Sequence, residues 1–400
     1  MKERKLIIGI SIALLVLGGL ATFFYFKKQK QAGGGSDEVV WNRERAGSLL
    51  RELSAMADSV GIDTAGMQLS AADNEAKANA KFVRMLMELR YGIEPGGLVQ
   101  QKLKENVDTT WAWTVLKRSM ESDRSLRDSA LVAASFTPYA QLVRHYDALR
   151  AGASADTLKA LRKTLNFYRY LNRFDLDKFV VVNIPAAELN VYDQVGKRLM
   201  PMEVIAGNLK NPTPLFTSYL TEITAYPYWN VPEGIAVKEL LPKIQRDPGY
   251  LDSQNLQVID RREKEVDPYT IDWASLSADN FPYRLRQTSG CHNSLGLIKF
   301  TLTGPGAIYM HDTNARNLFS ATNDRWRSHG CMRLEKPVEL ANFLLQEPKF
   351  DEGFYNRCLI NQKPEGFKLP RPYPVFVIYN LADVDSGGQL RFYKDVYNKG

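Results

Sequence analysis

Between about Asp37 and Phe167, Leu, Met, Val and Phe recur every three or four residues among charged ones. The segments are WNRERAGSLLRELSAMADSV, AKANAKFVRMLMELRYG and SALVAASFTPYAQLVRHYDALRAG. This spacing puts the apolar side chains on one face of a helix, so residues 37–165 are expected to form an all-helical unit, punctuated at Gly92, Pro95 and Gly96. Nothing in it has a catalytic pattern; His145, in LVRHYDAL, falls on a polar helix face. After Asp177 the period changes to two or to short apolar runs: FVVVNIP, ELNVYD, MPMEVIAG, FTSYLTEITAYPYW, GLIKFTL, AIYMHD and PVFVIYNL. These read as strands, and DSGG before QLRFYKDVY is a hairpin signal, so residues 166–400 form a β-rich unit and the fold class is α+β. From Pro232 to Arg284 the strand pattern lapses into a polar, proline-containing insertion. It is too long for a simple connection, which leaves two readings: a lid or capping subdomain, or a surface excursion.

One segment has no polar face. Leu6 to Phe26 is an uncharged run long enough to cross a hydrocarbon core as a helix. Lys27, Lys28 and Lys30 follow it where a signal peptide would carry small residues, so the expectation is an uncleaved single-pass anchor over residues 1–31, spanning at 6–26, then a Gly/Ser linker at 32–36. Basic residues flank the run on both sides, so the charge rule for orientation barely discriminates; a short tail inside and the rest of the chain outside is the simpler topology.

The formal charge of +7 points to nucleic acid only until it is partitioned. Residues 1–31 hold six Lys/Arg and one Glu, net +5, which leaves +2 for the remainder. No basic stripe interleaved with aromatics stands out there, and nucleic acid is set aside as a partner. Three cysteines, Cys291, Cys331 and Cys358, without a CxxC pair, suit neither a disulfide-built scaffold nor a structural zinc site.

The stretch HDTNARNLFSATNDRWRSHGCMRLEKP holds two of the four histidines and one of the three cysteines. Cys331 lies in a Gly-containing turn shortly before an apolar run that reads as a helix start, where backbone N–H dipoles would favour thiolate. Gly330 lets a carbonyl substrate approach closely, and the N–H groups of 330 and 331 could form an oxyanion hole. A base with an ordinary pKa near ~6.5 is needed, which means histidine. His311, at the end of a strand, is favoured over His329, with Asp312 or its carbonyl fixing the tautomer. Arg333 could hold a substrate carboxylate through paired hydrogen bonds, or could be a salt bridge to Glu335 or Asp324. The residues alone leave three readings open: nucleophilic catalysis, a Cys/His metal site using His311, His329 and Cys331, and a structural turn.

HDT…SHGCMRLEKPVELA resembles the signature of the L,D-transpeptidases with a YkuD-type catalytic domain. VVNIPAAELNVYD, MEVIAGNLKNPTPLF, PYWNVPEGIAVKELLPKIQRDPGYL and YRLRQTSGCHNSLGLIKF are similar to the large periplasmic branch of that family. The resemblance covers about residues 160–397, and more loosely the helical scaffold. It implies a mixed β-sandwich catalytic domain with a capping subdomain at 232–284, anchored in the inner membrane with its catalytic part on the periplasmic side. The implied activity is 3→3 cross-linking of peptidoglycan tetrapeptide stems, without a cofactor and with carbapenem β-lactams as covalent inhibitors. In that scheme Cys331 is the nucleophile and His311 the base, oriented by the Asp312 carbonyl. Gly330 and the SHGC backbone belong to the oxyanion site, Arg333 and Ser328 to the substrate site, and His329 is auxiliary. Tyr309 and Trp229 are expected to line the cleft. The chain departs from the family in passing almost directly from scaffold to catalytic unit, without the peptidoglycan-binding module common in large members. A catalytically silent wall-binding scaffold and a metal protein remain the rival classes. Cys291 is read as an incidental thiol in preference to a redox partner of Cys358 or part of the cleft wall.

Overall fold

The computed structural model describes residues 41–100, 103–121, 126, 136–304, 306, 308–321, 324–359 and 362–400. Among them no helix is long and apolar enough to cross a membrane. The span expected at 6–26 and the linker at 32–36 lie outside the described residues. The transmembrane helix and the single-pass inner-membrane location are therefore corrected: the structure supports neither.

The chain opens with helices α1 (Arg43–Ser59), α2 (Glu75–Tyr91), α3 (Thr109–Glu121), α4 (Thr137–Leu149) and α5 (Ala155–Tyr170). Their starts follow from local chemistry. The side chains of Asn42, Asn74 and Ser154 accept the backbone N–H of Arg45, Lys77 and Thr157, satisfying donors that have no partner in a first helical turn. Leu49, Leu50 and Leu53 of α1, Phe82, Met85, Leu86 and Leu89 of α2, and Leu116 of α3 bury into one core. Helices α4 and α5 instead present Leu142, Tyr146, Leu161, Leu165 and Phe167 to the β-rich unit and join its core. Half-buried beside them, His145 donates from Nε2 to the Gly388 carbonyl at 2.8 Å.

The strands are β1 (Lys178–Asn183), β2 (Glu188–Asp193), β3 (Arg198–Gly207), β4 (Phe216–Ala225), β5 (Trp229–Asn230), β6 (Leu256–Ile259), β7 (Glu265–Val266), β8 (Arg284–Gln287), β9 (Ile298–Leu302), β10 (Met310–His311), β11 (Trp326–Ser328), β12 (Met332–Leu334), β13 (Glu365–Ile378), β14 (Ala382–Val384) and β15 (Leu390–Phe392). Nine of them form one sheet in the order β11-β3-β12-β10-β9-β4-β13-β1-β2, and β2 pairs again with β3. The sheet thus closes into a barrel, which corrects the expected sandwich. The cause is the length of β3: its first half, Arg198 to Glu203, pairs with β2, and its second half, Val204 and Ile205, pairs with β12. One strand long enough to pair with both β2 and β12 closes the sheet on itself, with the short β11 added beside its end. Val180, Leu189, Val204, Phe216, Phe300, Met310 and Met332 fill the interior, while Phe179 and Phe376, on the other face of β1 and β13, pack against Phe136 and Phe167 of the helical part.

Residues 229–287 leave the barrel and build a second, four-stranded sheet, β5-β8-β6-β7, with a helical stretch at 233–244. This segment has its own small core of Val231, Leu240, Leu241, Ile244, Leu251, Val258, Trp273 and Leu285. It overhangs the barrel where β9, β10 and β12 end.

Candidate active site

Three barrel strands assemble the site. β10 runs parallel to β12 with His311 opposite Arg333 and Met310 opposite Met332, and antiparallel to β9 with His311 opposite Lys299 and Met310 opposite Phe300. Met310, Met332 and Phe300 are fully buried in the barrel. Alternation along a strand then sends the residues between them to the other face: Tyr309, His311, Cys331, Arg333 and Lys299. The first four line a cavity of about 520 Å³ whose opposite wall is the insertion, with Trp229 and Glu239 among its residues. A larger cavity, about 670 Å³, lies between α2, α5 and the barrel and is lined by neither histidine nor cysteine.

His311 is 4% exposed, and its Nδ1 donates to the Asp312 carbonyl at 2.5 Å. That bond fixes the tautomer and leaves Nε2 as a lone pair. Burial, with the Arg333 guanidinium beside it, pushes the imidazole pKa down to about 3, so it is neutral across the physiological range. The Cys331 thiol is pushed up by burial, against a backbone hydrogen bond from Tyr309 and the charges of Arg333 and Lys299. The thiol and imidazole therefore rest as a neutral pair. The helix-terminus thiolate expected from the sequence is corrected: Cys331 precedes β12, and the helix after it, α6, begins only at Pro337 and runs to Leu345.

Arg333 makes no hydrogen bond or ion pair among the described residues, and its Nε is buried without a partner. The salt bridge weighed for it does not form, because Glu335 accepts the Glu203 N–H and pairs with Lys336, while Asp324 pairs with Arg327. Ser328 is buried; its Oγ donates to the Cys331 carbonyl at 2.5 Å and accepts the Gly330 N–H at 3.1 Å. The Gly330 N–H is thus committed to Ser328 and not to an oxyanion position, which differs from the sequence expectation. Gly330 has a different use: its φ of +106° is open to glycine and strained for other residues. His329 is exposed, and its Nε2 meets Glu239 Oε1 of the insertion at 3.0 Å, joining the SHGC turn to the overhanging segment. No three His, Cys, Asp or Glu side chains among the described residues converge as metal ligands.

Asp312 contributes more than its carbonyl. Its fully buried carboxylate accepts the Leu297 N–H at 2.8 Å and two hydrogen bonds from Arg316, at 2.6 and 3.2 Å. The strand carrying His311 is thereby pinned to the 296–297 turn. Gly296 completes the fit: its φ is +63°, and a Cβ there would stand 2.3 Å from Asp312 Oδ2. Gly296→Ala is accordingly expected to cost about 3 kcal/mol, from left-handed strain plus overpacking, and to lose most reactivity at Cys331. Thermal unfolding and covalent labelling of the same variant check both.

Residues 177–358 match the family model for the L,D-transpeptidase catalytic domain, YkuD. This stretch of the chain is similar to a YkuD domain. A curated relative, described as "Putative L,D-transpeptidase" of Haemophilus influenzae, is 36% identical over 223 residues, a match spanning 56% of this chain and 45% of the relative. The chain thus spans less than half the length of the relative it matches. Among solved structures, an L,D-transpeptidase from Mycobacterium smegmatis covers 52% of this chain and 60% of its own at 16% identity, with a TM-score of 0.20. L,D-transpeptidase 3 from Mycobacterium tuberculosis covers 52% and 63% at 13% identity, with a TM-score of 0.24. Likenesses at that level add no argument.

The structure also accounts for two cysteines. Cys291 and Cys358 form a disulfide, with Cα atoms 5.2 Å apart across a sequence separation of 67, so the incidental reading of Cys291 is corrected. Neither residue's neighbourhood in sequence signals the pairing; it arises because the 288–296 turn and the segment after α6 meet beside Asp312. Replacing both with Ser is expected to cost about 2–4 kcal/mol by freeing a long loop in the unfolded chain, while Cys331 keeps its reactivity. Denaturant unfolding, with labelling of Cys331 as the control, measures this. Two further residues escaped the sequence reading. Lys299 was visible only as the charged member of GLIKFTL, and Glu239 only as one of many charges in the insertion.

Proposed function

We propose that the protein is an L,D-transpeptidase that forms 3→3 cross-links between peptidoglycan stems through a thioester on Cys331. The observation that supports this best is the convergence of Cys331, His311 and an unpaired Arg333 on one face of β10 and β12, beneath the 229–287 segment. The YkuD match over residues 177–358 supports the same reaction class.

In this reading, Nε2 of neutral His311 takes the thiol proton as Cys331 sulfur attacks the carbonyl on the L-centre of diaminopimelate in a tetrapeptide stem. An S–C bond forms, and the carbonyl π pair moves to oxygen. Collapse breaks the C–N bond to D-alanine, whose nitrogen receives the proton held by His311. A side-chain amine of a second stem then attacks the thioester, gives its proton to His311, and displaces the Cys331 sulfur, which recovers it. A depressed imidazole pKa suits the proton's return, since a buried imidazolium beside Arg333 is a strong acid. Arg333 is assigned to a stem carboxylate, because a buried guanidinium with no protein partner gains most from a bidentate anion. Tyr309 and Trp229 are assigned to the cleft walls, Ser328 and Gly330 to the shape of the nucleophile turn, and His329 with Glu239 to its contact with the cap. Residues 37–165 serve as scaffold, 166–400 as catalytic domain, and 232–284 as cap.

Incubating the full chain with a disaccharide-tetrapeptide tests the proposal. The expected products are free D-alanine and a dimer heavier than two stems less one D-alanine by nothing, as read by mass spectrometry. Release of D-alanine with only the trimmed stem as product would make the protein a carboxypeptidase instead.

A further inference from the structure

Lys299 is a charge that this reaction scheme does not use. It stands between Ile298 and Phe300, both fully buried in the barrel, so the alternation of β9 turns its side chain to the face that carries His311. His311 is its register partner. Its Nζ lies 4.1 Å from the centroid of the Tyr309 ring, and it makes no hydrogen bond or ion pair among the described residues. Tyr309 lines the cleft and Lys299 does not. A half-buried ammonium group without a hydrogen-bonding partner is costly to keep, and a cation–π contact offsets only part of that cost.

We propose that Lys299 is a positioning residue for the nucleophile: its ammonium group, held behind the Tyr309 ring and out of the cleft, stabilises the Cys331 thiolate through space and leaves the cleft to the substrate. Charge placed before the reaction acts without reorganisation as the sulfur becomes negative. The groups around it fit this use. Cys331 and Glu222 of β4 favour the charged form of Lys299, against its burial. Lys299 and Arg333 both draw the thiol down and both disfavour an imidazolium on His311. The two cations therefore favour negative charge as it develops on sulfur without trapping the proton on the base. Arg333 meets the cleft and is available to substrate, whereas Lys299 gives a field that substrate binding does not displace. His329 faces Glu239 on the other side of the turn.

The inference rests on the proposed function only in naming Cys331 the nucleophile, and its test reads the thiol itself. Iodoacetamide forms an S–C bond with the thiolate and releases iodide, so its rate follows the thiolate fraction. With Cys291 and Cys358 in a disulfide, Cys331 is the one cysteine left outside a disulfide. Alkylation of the full chain is followed by intact mass from pH 6 to 11 for the wild type, Lys299→Met, Lys299→Arg and Glu222→Gln. Lys299→Met is expected to move the midpoint up by about one pH unit, about tenfold slower alkylation near neutrality. Lys299→Arg should restore the midpoint, and Glu222→Gln, which removes a carboxylate that favours the charged form of Lys299, should move it up. A Lys299→Met profile that is slower at every pH with its midpoint unmoved would reduce Lys299 to a structural role. If circular dichroism shows that Lys299→Met does not fold, Glu222→Gln decides: a midpoint equal to that of the wild type overturns the proposal. Midpoint shifts as expected, in a protein that gives no dimer from stems, would leave Lys299 in place and reject the transpeptidase reading.

Discussion

Cys331→Ala is expected to abolish adduct formation with a carbapenem and to yield no dimer from tetrapeptide stems, while folding as the wild type does. The loss should be complete because the other two cysteines are held in a disulfide, so no second sulfur can form the thioester. The fold should survive because Cys331 is only partly buried and sits at the turn before β12, where its backbone holds the turn through the Ser328 hydroxyl. That bond uses the carbonyl of residue 331 and not its side chain. Removing one sulfur from such a position costs about 1 kcal/mol. Thermal midpoints of variant and wild type within a few degrees, together with zero adduct, are the outcome to look for.

Replacing His311 has two separable consequences. His311→Gln should slow acylation by about 10²–10⁴-fold, the usual contribution of a positioned base. A variant that reacts at near wild-type rates would move the base to His329. The second consequence concerns stability. The folded imidazole has a pKa of about 3, below the ordinary 6.5, so His311 contributes stability that is present above pH 6.5 and is lost as the pH falls toward 3. The wild type should lose on the order of 5 kcal/mol across that window relative to His311→Gln, which has no group to charge. Urea unfolding of both proteins at pH 7, 5 and 4 measures the divergence. Parallel curves would mean that the imidazole is not held neutral by burial.

The elements that carry this chemistry were readable in the chain, and their closure was not. A period of three to four residues marks α1, α2 and α4, and alternation marks β1 to β4, β9 and β13, because one face of each must meet a core. Motif spacing drew attention to His311, Cys331 and Arg333 as a group. What joins them is the parallel pairing of β10 with β12, and strands of two and three residues have no pattern by which their register could be read. Closure of the barrel depends on β3 serving two partners, which is a matter of strand length and twist beyond the alternation itself. Gly330 illustrates the limit at one residue: its need for a positive φ follows from the turn, but the direction of its N–H is decided by the Ser328 hydroxyl. Lys299 was legible as a strand residue, while its place behind Tyr309 required the register of three strands. The Cys291–Cys358 bond joins segments whose proximity arises only after the barrel and α6 have packed.

Intact-mass spectrometry of the full chain after incubation with a carbapenem tests the central claim most directly. Attack of the Cys331 sulfur on the ring carbonyl opens the four-membered ring, so one adduct with the full mass of the drug is predicted, located on Cys331 and absent from Cys331→Ala. A well-folded wild type that stays unmodified, or an adduct that persists in Cys331→Ala, would contradict an activated thiol in this cleft.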